Sequence, residues 1–156
     1  MDAVLVLFGY CGGTLHLEPR DAPVVVPKAN DCFDLLLGAE ARLNVFSEEP
    51  GTYFMSEGWV QSDGTPAEKQ RGLLKQFGRE KDLIESIYAG YRRLCFVRTG
   101  VETERSIGRA RQSAVDLDWT FTERQADLAL MKKALAGSWD DDFIVMRRRE
   151  ETAAAS

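Results

Sequence analysis

Strand-length apolar runs alternate with helix-length segments along these 156 residues, and that alternation leaves the chain few folds to choose from. VLVLFGY (4–10), PVVV (23–26), TYFMS (52–56), RLCFVRT (93–99), WTFTE (119–123) and DFIVM (142–146) are rich in Val, Phe, Ile and Tyr. Most are nearly continuous in hydrophobicity, as strands buried on both faces are. Between them lie segments 31–49, 66–91, 102–118 and 123–137. In the second of these, Leu73, Leu74, Phe77, Leu83, Ile84, Ile87 and Tyr88 recur at helical spacing. In the last, Leu128, Met131, Ala134 and Leu135 form a stripe, with Gly137 where a helix stop belongs. The expectation is an α/β fold: a three-layer sandwich on a mostly parallel sheet, Rossmann- or flavodoxin-like, with right-handed crossovers. Residues 1–146 are expected to form a single α/β domain and 147–156 a flexible tail.

Composition narrows the function classes. The chain is 44% hydrophobic and 29% charged, as in an ordinary soluble domain. Its net charge of −5, with no basic stripe before the last residues, argues against nucleic acid as a partner. The apolar run AVLVLFGYC is too short to span a bilayer and lacks the basic leader of a signal peptide, so a cytoplasmic protein is expected. Cys11, Cys32 and Cys95 are far apart in sequence, which is no secreted disulfide framework. His16 is the lone imidazole, which excludes a His-rich zinc site and any Ser-His-Asp set that does not use it.

In an α/β sheet, ligands gather at the carboxyl ends of the strands, so the loops after the strands carry the candidates. Tyr10-Cys11-Gly12-Gly13-Thr14 follows the first run. Its glycines permit positive φ and close approach of a ligand, and its amides can nest an anion beside a thiol. The spacing is neither a Walker loop nor a dinucleotide fingerprint, and a tight turn holding a small residue explains it equally well. Pro27-Lys28-Ala29-Asn30-Asp31-Cys32 follows the second run. Asn30 or Asp31 can cap the helix that starts there, leaving Cys32 in the first turn, where unpaired amides favour thiolate. A first-turn residue beside a good cap is the plain alternative. If the two loops are adjacent, Cys11 and Cys32 come within reach of one metal, zinc or iron, with Asp31 and water completing the coordination.

Other positions carry less. Cys95 lies inside a strand run and reads as core, or as a third ligand if the site is deep. Trp59 follows the TYFMS run and can wall a pocket there, while Trp119 and Trp139 read as core. Tyr91-Arg92-Arg93 offers guanidinium forks to an anion, though solvated charges at a helix end are the plainer reading. Asp140-Asp141-Asp142 lacks the spacing of an EF-hand loop and reads as a solvated turn.

Taken together, FGYCGGTL (8–15), ANDCFDLLLGAEAR (29–42), EEPGTYFMSEGW (48–59) and GYRRLCFVRTG (90–100) resemble a family of unknown function, DUF1638. The likeness runs on more loosely to WDDDFIVM (139–146). The resemblance matches Cys11 to the family's glycine-flanked cysteine and Cys32 to a cysteine that follows a His or His-Asp pair. Asn30 stands where that histidine is common, and Asp31 keeps the acidic position, so a histidine ligand is not expected there. Many members carry an earlier segment with its own cysteine, which this chain is expected to lack, leaving its place to Cys95 or to a partner chain. The resemblance also implies a setting beside corrinoid-dependent methyltransferase systems.

Three readings follow. In the first, Cys11 and Cys32, with Asp31 or Cys95, hold zinc or iron in a protein of methyl-group or corrinoid metabolism. In the second, the chain is an accessory module without chemistry of its own. It would hold a corrinoid, another cofactor, or a methyltransferase or corrinoid-protein partner in a cleft lined by Tyr10, Gly12, Gly13 and Trp59. The chain has no DxHxxG pattern, which counts against direct corrinoid ligation by His16. In the third, Cys32 is a metal-free catalytic thiolate. Oligomeric state is open between monomer and homodimer.

Overall fold

A computed structural model of the chain describes residues 2–9, 11, 17 and 21–147. The elements in chain order are β1 (Val4–Leu5), β2 (Val24–Pro27), α1 (Cys32–Leu37), α2 (Ala39–Glu48), β3 (Thr52–Met55), α3 (Glu57–Ser62), α4 (Pro66–Phe77), α5 (Lys81–Tyr88), β4 (Arg93–Arg98), α6 (Glu104–Asp116), β5 (Thr120–Gln125), α7 (Ala129–Leu135) and β6 (Phe143–Met146). They fall into two compact units, Met1–Ala39 with Asp127–Ser156, and Glu40–Ala126. Each of the six apolar runs contributes a strand.

In the first unit, β2 is buried along its whole length, and it is the middle strand of a three-stranded sheet. β1 runs parallel to it, with Val4 opposite Val24 and Leu5 opposite Val25. β6 runs antiparallel on its other side, with Val25 opposite Val145. This sheet is therefore mixed. Val25, Ala134 and Phe143 form its core, with Leu5, Leu7, Leu130, Trp139 and Val145 packed around them. α7 begins later than the 123–137 pattern predicts, because residues up to Gln125 extend β5. Ala134 is buried on α7 as the stripe predicts, but Leu135 is 69% exposed, and Leu130, which the stripe did not include, packs inward instead. Gly137, at φ +75°, ends the helix as expected, its N–H donating to the Ala134 carbonyl at 3.2 Å. Trp139 packs on this core as expected, its indole N–H also donating to the Ala134 carbonyl, at 2.9 Å.

The second unit holds a fully parallel sheet in the order β3-β4-β5. Thr52, Arg93 and Thr120 stand in register at one end, and Met55, Phe96 and Glu123 further along. Leu94, Phe96 and Val97 of β4 are 0% exposed, which is why RLCFVRT reads as unbroken hydrophobicity. Ile107, Ala110 and Ala114 of α6 pack against Met55, Val60, Leu94 and Phe96. Burial of each such large side chain stabilises by about 1.5–3 kcal/mol. α4 opens on a capping box: the Thr65 hydroxyl accepts from the Glu68 amide, and the Glu68 carboxylate accepts from the Thr65 amide. The periodic segment 66–91 is two helices, α4 and α5, separated by a 3₁₀ turn at Gly78–Glu80. On it Ile84 and Tyr88 are buried, while Phe77, Leu83 and Ile87 are 48%, 61% and 53% exposed. The short α3 has no periodicity of its own and is not legible in the sequence. Among the described residues, no helix is long and apolar enough to cross a membrane.

Candidate functional site

The loops after β1 and β2 abut. The Cys11 amide donates to the Asn30 carbonyl at 2.7 Å, and Val6 N–H donates to the Val25 carbonyl at 2.9 Å, so the β1 chain stays alongside β2 beyond its last paired residue. Gly9 fixes the approach. A methyl group added to it would overlap the Asp31 Cα and carbonyl carbon and would lie 2.6 Å from the Asp31 carbonyl oxygen. Only a residue without Cβ allows the two backbones to touch in this way. The expected adjacency of the two cysteine-bearing loops is thus present in the backbone.

Asp31 is the cap of α1. Its Oδ1 accepts from the Phe33 amide at 2.9 Å and the Asp34 amide at 3.0 Å, so this carboxylate oxygen is engaged in holding the helix start. Cys32 is the first residue of that helix and is half-buried. Cys11 is exposed and sits at φ +43°, a left-handed conformation costly for a residue with a Cβ. Asn30 has a structural task the sequence did not reveal. Its amide and Nδ2 donate to Asp34 Oδ2 at 3.0 and 2.6 Å, and Asp34 is only 4% exposed. A clamp thus runs from Cys11 through Asn30 to a buried carboxylate in α1.

Cys95 stands on β4 in the second unit, 1% exposed, between Phe54 and Thr122 in the sheet register. Burial raises its thiol pKa, partly offset by the Thr122 hydroxyl. Trp59, in α3 of the same unit, is 41% exposed, with the Lys69 ammonium 5.5 Å from its ring centroid. Tyr10, Gly12, Gly13 and His16 lie outside the described residues, as does the chain beyond Arg147. Among the described residues, no group of three or more His, Cys, Asp or Glu side chains is placed to hold a metal ion.

The loops at the carboxyl end of the parallel sheet are filled by their own hydrogen bonds. Glu57, after β3, accepts from the Ser106 hydroxyl at 2.9 Å, Gln61 Nε2 at 3.0 Å and the Thr103 amide at 3.2 Å. Burial pushes its carboxyl up, but these donors outweigh that and hold it below its usual range. Glu102, after β4, accepts from the Thr99 and Gly100 amides at 2.9 and 2.8 Å and from Arg98 Nε at 2.9 Å. Burial again opposes, and the donors still bring it to about 2. At the opposite end of the sheet Arg93, read from sequence as a helix-end charge or an anion site, is 8% exposed. It donates to the Val45 carbonyl at 2.6 Å and to the Thr52 hydroxyl at 2.9 Å, and pairs with Glu48 at 3.3 Å. Arg93 is a structural tie. Its signal in the sequence is its place at the start of a fully buried strand.

Fold and site together define an α/β protein with two thiols on abutting loops at strand ends. The chain matches the family model described as protein of unknown function (DUF1638) over residues 1–135, and it belongs to that family. No curated protein and no solved structure matches it.

Proposed function

We propose that the protein works through a two-thiol site, in which Cys11 and Cys32 hold a thiophilic metal, zinc or iron. The observation that carries this reading is the backbone bond from Cys11 to Asn30, reinforced by the Gly9–Asp31 packing, which sets the two cysteine loops side by side. Two sulfur donors suit either metal. With Asp31 Oδ1 engaged in the helix cap, they make half of a tetrahedral set and leave positions for water, substrate or further donors. A metal so held would supply Lewis acidity and would keep a bound thiol ionised. The chain's own residues would position it: Asp31 fixes the start of α1 beneath Cys32, and the Asn30–Asp34 clamp fixes the loop that Cys11 leans on. Association with methyl-group or corrinoid metabolism belongs to this proposal through the family resemblance, and a Rossmann-like layering through the alternation of strand and helix runs.

Metal analysis of protein purified without oxygen tests it. Stoichiometric zinc or iron that is lost in both Cys11→Ser and Cys32→Ser supports the reading, and metal content unchanged in the two variants refutes it. A second reading is favoured by the scarcity of donors among the described residues: Cys32 as a metal-free nucleophile in the first turn of α1. Metal-free protein whose Cys32 is labelled stoichiometrically at mildly acidic pH would select it, and a Cys32 inert until unfolding would remove it.

A further inference from the structure

A cleft in the first unit carries charges that the fold does not use. It offers about 220 Å³ of room, and its polar lining is Lys28, Asp34, Asp127, Lys133 and Asp142, with Leu130 as an apolar wall. It opens beside the carboxyl end of β2, since Lys28 directly follows Pro27 and its amide donates to the Asp142 carbonyl at 2.8 Å. That is where ligands of α/β sheets gather.

The lining charges divide into two sets. Lys133 Nζ donates to Asp142 Oδ2 at 2.5 Å and to Asp140 Oδ2 at 2.9 Å, so this cation is balanced by the protein itself. Asp34 Oδ2 is engaged by Asn30. These groups build the walls. The Lys28 ammonium and the Asp127 carboxylate, both exposed, have no side-chain hydrogen bond or ion pair among the described residues. Each has its backbone fixed, Lys28 through Asp142 and Asp127 through its N–H to the Leu36 carbonyl at 3.0 Å. Lys28 and Asp127, a cation and an anion without side-chain partners among the described residues, therefore line the same cleft from positions whose backbone is anchored.

We infer that this cleft binds a small zwitterion, a molecule of amino-acid size with one ammonium and one carboxylate. Lys28 takes the carboxylate and Asp127 the ammonium, and Leu130 takes the apolar remainder. The size follows from the volume, which lies below the roughly 300–1,000 Å³ of clefts for drug-sized ligands. The opposite signs give orientation as well as attraction, because a reversed ligand meets like charge at both ends. This inference needs no metal at the thiol site, with which the cleft shares Asp34 as a wall.

The test is titration of the full-length ¹⁵N-labelled protein, followed by amide NMR, with L-alanine, β-alanine and L-aspartate. Propionate and ethylamine, which carry one end each, are the controls. At least one amino acid is expected to shift Lys28, Gly38 and Asp127 saturably in the low millimolar range, with propionate and ethylamine at least about tenfold weaker. Lys28→Ala and Asp127→Ala change exposed side chains without internal partners, so both should fold, and each should weaken binding about tenfold. Saturable binding that survives both variants, equal binding of a one-ended control, or no saturable shift with any of the three amino acids overturns the inference.

Discussion

Gly9→Ala tests the abutting loops most economically. The new methyl carbon would lie 2.6 Å from the Asp31 carbonyl oxygen and inside contact distance of the Asp31 Cα and carbonyl carbon. Carbon atoms prefer separations of about 3.5–4.0 Å, so the two backbones must part by roughly 1 Å. Neither side of the contact is a flexible side chain, so nothing can swing away. The movement stretches the 2.7 Å bond from Cys11 to Asn30 beyond hydrogen-bond range. Overpacking costs about 1–3 kcal/mol and the lost bond about 1 kcal/mol, which together make about 2–4 kcal/mol. For a chain of this length that corresponds to a fall in Tm of roughly 5–15 °C. Gly108→Ala is the matched control. A methyl at Gly108 meets nothing within 4 Å in α6, so it should stabilise by about 0.5–1 kcal/mol through helix propensity. Thermal unfolding of both variants reads the difference. A Gly9→Ala protein as stable as the parent would refute the close approach and, with it, the pairing of the cysteine loops.

Other outcomes follow from single contacts. Arg93→Met leaves the Val45 carbonyl and Thr52 hydroxyl without their buried donor and should cost about 2–4 kcal/mol in urea unfolding, with Arg93→Lys recovering only part. Asp31→Ala should cost about 0.5–2 kcal/mol through loss of the α1 cap, and Asp31→Asn much less. Glu68 is held at about 2, chiefly by its hydrogen bonds from Arg109, and Glu102 also lies at about 2, both below the ordinary 4.5. A carboxyl depressed in the folded state contributes stability that is full above 4.5 and is lost as pH falls towards 2. Stability should therefore drop through that window, and Glu102→Gln should flatten the drop; an unchanged profile would contradict the assignment. Cys95, buried in β4, should resist alkylation in folded, metal-stripped protein while exposed Cys11 reacts, and both should react in denaturant.

What the sequence made legible was what short-range physics encodes. All six strands were visible as apolar runs because each is short and rich in β-branched or aromatic residues, and β2, β3 and β4 are also largely buried. A cap at Asn30 or Asp31, and one at Gly137, were visible because capping needs those residue types at those places, and the structure selects Asp31. The antiparallel β6 was not, since the run DFIVM has no mark of direction, and the mixed sheet depends on where the chain returns. The break of the 31–49 segment at Gly38, φ +82°, had a glycine as its signal, but the apolar positions on either side masked it. At the site, two cysteines on neighbouring loops could be anticipated from the order of the strand runs, whereas the Asn30–Asp34 clamp and the meeting of Lys28 and Asp127 at one cleft could not. Those depend on residues chosen for each other's position and not for a local pattern.

The central claim, that Cys11 and Cys32 belong to one site, is tested most directly by a trivalent arsenical, which is held tightly only by two thiols within reach of each other. Protein stripped of metal and kept reduced should bind one phenylarsine oxide per chain and protect both thiols from alkylation. Binding should be lost in Cys11→Ser and in Cys32→Ser and kept in Cys95→Ser. No binding, or binding that persists in either of the first two variants, would contradict the two-thiol site.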